Sequence, residues 1–149
     1  MRSHLVWLVA VVPIIACTPN LPDDLPGLMK AMGDYDMSVS WHAADKVRRL
    51  YGKEGLFQAL QHANEYTRAN AAHTLMHYSG PDVEEALASV ANDKDDHVRM
   101  WVAWSLGEVG SPGVRPTLER LSQDPADIVK RKAEEALEKL SERQSAPRR

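Results

Sequence analysis

The chain has 149 residues, a formal net charge of −3 and 26% charged residues. That length suits one modest domain, and the slightly acidic balance lacks the basic stripe needed to displace counterions from phosphates, so no nucleic-acid partner is expected. Aromatic residues are sparse at 6%, yet four of them are tryptophan, and a single cysteine excludes an internal disulfide.

The N-terminal segment reads as targeting rather than fold. A short positive start, "MRSH", precedes twelve uncharged residues, "LVWLVAVVPIIA", and then Cys17. Twelve residues are too few to span a bilayer comfortably but suit the apolar region of a signal peptide. "IIAC" resembles the lipobox of bacterial lipoproteins, with Ile14 where that family usually has Leu and small Ala16 before the cysteine. The resemblance implies a signal peptide over 1–16, a lipid on Cys17 and a proline-bearing tether over 17–22. Thr18 is not the Asp that such lipoproteins use for inner-membrane retention. The implied location is therefore the cell envelope, at the periplasmic side of the outer membrane in a Gram-negative cell.

From residue 23 onward the chain repeats. Asp34-x-Asp36-x-x-Val39, His62-x-Asn64-x-x-Thr67, Asp93-x-Asp95-x-x-Val98 and Asp124-x-x-x-x-Val129 start at intervals of 28, 31 and 31 residues. Before each turn stands an apolar set at i, i+3, i+4, i+7, the spacing of one helical face: Leu25/Leu28/Met29/Met32, Leu56/Ala59/Leu60/Ala63, Val83/Ala86/Leu87/Val90 and Val114/Thr117/Leu118/Leu121. After each turn comes a helix of small inward residues: Ala43/Ala44/Val47, Ala71/Ala72/Leu75, Val102/Ala103/Leu106 and Ala133/Ala136/Leu137. Gly52, Gly80-Pro81 and Gly110-Ser111-Pro112 punctuate the units. One helix pair cannot bury its apolar face alone, so four pairs over 23–141 must stack into a short, all-α solenoid. The basic segment 142–149 reads as a flexible tail.

The repeats resemble HEAT-like repeats, particularly the bacterial type related to those of phycobilin lyases. The resemblance rests on Leu25-Pro26-x-Leu28, Val114-x-Pro116-x-Leu118, "DKDDHVR" and "AWSLGEVG". Ser40 in place of Arg and His62 in place of Asp depart from that pattern.

The acidic turns have a structural purpose. Asp36, Asp95 or Asp96, and Asp127 stand where a carboxylate can cap the following helix. Arg68, Arg99 and Lys130 recur at one repeat position, forming a ladder expected to pair with Asp93, Asp95 and Asp124. A calcium loop is the rival for "DKDD". It fails because glycine is missing at its sixth position and Trp104 stands where the bidentate Glu belongs.

His73 and His77 lie i, i+4 on one helix face, a spacing that can share zinc, but a third ligand is required and no local residue supplies it. They read as solvated histidines, with no metal and no cofactor expected. Trp101 shares a repeat column with His42, Asn70 and Lys132, and Trp104 shares one with Asp45, His73 and Glu135. Both columns are otherwise polar, so both indoles should be partly exposed. The pair is a candidate anchor for an unidentified partner protein, with Asn70, His73 and His77 as its polar rim. No nucleophile-base-acid set and no phosphate loop is present, and the chain reads as a non-enzymatic interaction scaffold. The alternatives are a lyase-like handler of a small molecule or cofactor, and a zinc protein using His73 and His77.

Overall fold

The computed structural model describes residues 19–145. The expected signal peptide over 1–16, Cys17 and Thr18 lie outside the described residues, as does the chain after 145. The described residues form α1 (Leu25–Met32), α2 (Met37–Ala59), α3 (Glu65–Thr74), α4 (Pro81–Ser89), α5 (Asp96–Val109), α6 (Arg115–Leu121) and α7 (Asp127–Ser145), with 3-10 turns at Leu75–His77 and Pro112–Val114. There is no strand among them, and the chain is an all-α stack of helix pairs. None of these helices is long and apolar enough to cross a membrane.

α2 contains a unit boundary. Gly52 sits at φ 63°, so its two flanks are separate helical segments, and the later one, 53–59, opens the second unit. A left-handed φ is where glycine alone carries no Cβ penalty. Pro81 occupies the first turn of α4 immediately after Gly80, at φ 126°.

The core is the line where the small-residue helices meet their partners. Leu28, Met32, Ala43, Val47, Leu56, Ala71, Ala72, Leu75, Val83, Leu87, Val98, Val102, Leu106, Leu118, Val129 and Ala133 are fully buried. Ala63, assigned to an apolar face from its spacing, is instead exposed at the turn. α5 and α7 approach so closely that a Cβ added to Gly107 would lie 2.6 Å from the Ala136 Cβ.

The turns repeat atom by atom. The Oδ1 of Asp34, Asp93 and Asp124 accepts the amide two residues on, at 2.8–2.9 Å, and His62 substitutes through Nδ1 at 3.2 Å. Asp36 then caps α2, Asn64 caps α3 and Asp95 caps α5. Asp127 does not cap α7. It is the first helical residue, an exposed side chain 3.4 Å from Lys130.

Two rungs of the ladder form between units. Arg68 donates to both oxygens of Asp93 at 2.7 and 2.9 Å, and Arg99 donates to both oxygens of Asp124 at the same distances. Each guanidinium also donates to two backbone carbonyls of its own turn. The Arg99 hydrogen bond, acting against burial, holds the Asp124 carboxyl below the usual carboxylate range. Burial pushes Asp93 upward, but Arg68 and the Asp95 amide outweigh it and hold that carboxyl low too. Asp95 is a cap rather than a rung, and Lys130 pairs within its own helix, with Asp127.

Other side chains stitch units together through helix-end carbonyls, which have no partner inside their own helix. Thr67 and Asn70 donate to Met29 and Met32 at the end of α1. Arg143 donates to Gly107 and Glu108 at the end of α5. That last contact explains why α7 continues to Ser145, into the segment expected to be a flexible tail from 142. Leu21, within the expected tether, is likewise fastened: its carbonyl accepts from Lys46 Nζ at 2.9 Å.

Candidate functional site

The repeat register places Asp45, His73, Trp104 and Glu135, of α2, α3, α5 and α7, in one outward column, with Trp101 in the next. At the two ends these side chains are charged and paired. Asp45 meets Arg48 and Arg49 at 2.6 and 2.9 Å, and Glu135 meets Lys132 at 2.7 Å. In the middle they are aromatic. His73, Trp101 and Trp104 therefore form a patch framed by ion pairs.

His73 is the centre of that patch rather than its rim. Its ring lies 4.4 Å from Trp101, 5.2 Å from Trp104 at a near-parallel 20°, and 6.0 Å from Trp41. Trp101 and Trp104 meet edge to face at 5.2 Å, the arrangement that the charge distribution of aromatic rings favours. Burial among these rings, and the proximity of His77, push the His73 pKa down. The imidazole is thus neutral at neutral pH and carries a free lone pair.

Trp41 extends the patch to the first unit and is half exposed, at 52%. Beside it runs an open groove of about 360 Å³ lined by Trp41, His42, Arg48, His73 and His77 among others. His42 is oriented by its own helix: Nδ1 lies 2.6 Å from the Ser38 carbonyl and donates to it. The groove thus offers an aromatic wall, three imidazoles and a guanidinium already engaged by Asp45.

Of the residues expected at the partner surface, Trp101, Trp104, His73 and His77 come together on this face, and both indoles are partly exposed. Asn70 serves differently, because its amide holds the end of α1. Trp41 was not singled out from the sequence. Its repeat column contains Ala69 and Met100, both buried, and Arg131, exposed, so the column does not predict its burial. In the structure the indole is half exposed.

The histidine pair gains no metal-binding third partner. Among the described residues, the one group of three ligand-bearing side chains within 4.8 Å of each other is Asp95, Asp96 and His97, away from the groove. Those carboxylates already cap α5 and pair with His97.

The helix pairs, the Asx turns and the arginine ladder define a class, the helical-repeat solenoids. Within that class, a family model for HEAT repeats matches residues 53–138, and the chain belongs to the HEAT-repeat family. No curated protein sequence matches it. Among solved structures it is similar to human deoxyhypusine hydroxylase, with a TM-score of 0.64 and 20% identity over 83% of this chain and 46% of that one. It is also similar to the CpcE–CpcF complex of phycocyanin lyase from Nostoc sp., with a TM-score of 0.58 and 19% identity over 79% of this chain and 53% of that one. An engineered protein matches at a TM-score of 0.54 and 21% identity, over 79% of this chain and 62% of that one. The chain thus spans about half the length of the first two. At such identities the likeness concerns the path of the backbone.

These similarities correct one expectation. The lack of a local catalytic motif led to the chain being read as not an enzyme, yet two similar folds belong by name to a hydroxylase and a lyase. A stack of repeats can assemble a site from side chains one unit apart, about 30 residues away in sequence, where no contiguous motif shows it.

Proposed function

We propose that this HEAT-repeat chain is a binding scaffold that engages a partner protein through the face built from Trp41, His73, Trp101 and Trp104, held at a bacterial cell envelope by a lipid on Cys17. The observation that carries the proposal is the aromatic patch spanning three successive units, framed by ion pairs at both ends. Large aromatic side chains with a polar surround dominate the energetics of protein interfaces. A stacked solenoid also presents such a face on a backbone that need not reorganise to bind. The anchor is supported by the resemblance of "IIAC" to a lipobox.

Crosslinking in native cells tests the face. A defined partner captured by the wild-type chain and lost with Trp101→Ala/Trp104→Ala, at unchanged helical circular dichroism, supports it. Equal capture by both chains sinks this face as the site. The anchor is tested separately by metabolic labelling with a fatty acid, which should mark the wild-type chain and leave Cys17→Ser unmarked.

The groove favours a second reading, a handler of a small molecule or cofactor, because about 360 Å³ with three imidazoles on its wall is room for a ligand. That reading requires a ligand-dependent rise in melting temperature that Trp41→Ala abolishes.

A further inference from the structure

We propose that the cavity walled by Tyr35, Trp41, Tyr66 and Trp101 binds a free small-molecule cation of the choline type, an alkylated ammonium group without a carboxylate. The cavity, of about 190 Å³, lies on the other side of Trp41 from the groove and is also bordered by Met37 and Asp34. Five large hydrophobic side chains are exposed among the described residues. Four of them, Tyr35, Met37, Trp41 and Tyr66, border this one cavity. Such a concentration of apolar surface in water marks a binding surface, where isolated exposed residues would not.

The chemistry of the walls selects the ligand. Tyr35 and Tyr66 meet edge to face, with ring centroids 5.3 Å apart and planes at 61°, so two wall elements are turned across each other. Aromatic faces carry the negative end of the ring quadrupole and attract cations. Alkylated ammonium groups are weakly hydrated and shed water into such cages at little cost. No lysine or arginine lines the cavity. Asp34 accepts the Asp36 amide through Oδ1 and pairs with no cation among the described residues. His97 borders the mouth, with Nδ1 3.0 Å from Asp96. Asp34 is the one carboxylate among the lining residues, and it attracts a cation and repels a ligand carboxylate. A choline-type cation therefore fits better than a betaine.

The cavity shares Trp41 and Trp101 with the proposed partner face, but Tyr35 and Asp34 lie outside that face, so variants at these two residues test this proposal separately. The test is a titration of the full-length chain with choline chloride, followed by the indole N–H resonances of Trp41 and Trp101. Saturable shifts of both are expected, with the neutral isostere 3,3-dimethylbutan-1-ol binding roughly ten-fold more weakly. Tyr35→Ala, at a side chain 86% exposed and so free of folding duties, should weaken choline about five-fold, and Asp34→Asn about three-fold. Equal binding of the neutral isostere overturns the proposal, as does the absence of a saturable shift. Tighter binding of a trimethyllysine peptide than of choline overturns the free-molecule assignment.

Discussion

His73 shows how one residue's surroundings change its behaviour. An imidazole packed among three indoles loses hydration in its charged form, and His77 adds repulsion once it is protonated, so the folded state holds the proton less tightly than the unfolded chain. The unfolded chain then takes up the proton first as pH falls from about 6.5. Stability should decline below that point, down to the lowered folded-state pKa, and be flat with respect to this group above it. We expect His73→Phe to flatten the dependence of unfolding free energy on pH between 7 and 5, measured by urea denaturation. An unchanged slope would mean the ring is hydrated. Zinc should leave the melting temperature of the wild-type chain unchanged, because among the described residues no third ligand atom, that of His42 in the same groove included, joins the His73/His77 pair within 4.8 Å; a rise lost in His77→Ala would refute this.

At the scale of the element, the arginine rungs join one helix pair to the next. Arg99 and Asp124 are both nearly enclosed, with side chains 13% and 7% exposed. Removing the arginine would strand a carboxylate and two turn carbonyls. Arg99→Ala should cost about 3 kcal/mol in chemical denaturation, whereas Lys130→Ala, at an exposed pair, should cost well under 1 kcal/mol. Asp93 and Asp124 have pKa values lowered in the folded state, so their stabilisation is complete above about pH 4 and fades as pH drops through their folded values. The contact between α5 and α7 depends on what Gly107 lacks. Gly107→Ala would drive a methyl into the Ala136 side chain and backbone, and overpacking of this kind costs about 1–3 kcal/mol.

Across the whole molecule, stability is a sum of units and of the interfaces between neighbours. Within the described stack the second and third units each have a neighbour on both sides, while α1 and α7 lie in its first and last described units. Native-state hydrogen exchange should therefore find the α3 and α5 amides protected to the global limit, with α1 and the last turns of α7 opening earlier. Uniform protection from α1 to α7 would show that the stack unfolds as a single unit. The two candidate cavities share Trp41, which is half exposed in the first described unit.

The amino-acid sequence by itself determined the repeat, its period and its inward faces, because helical burial writes a 3.6-residue rhythm and each Asx turn writes a fixed spacing. It also marked Arg68 and Arg99, which recur at one repeat position, and Trp101 and Trp104, which depart from otherwise polar columns. Only the tertiary structure decided which partner each arginine takes, because the rung crosses to the next unit, 25 residues on. Only it moved His73 from rim to centre and brought Tyr35, Trp41 and Tyr66 together, because these contacts join side chains of successive units that no local spacing links.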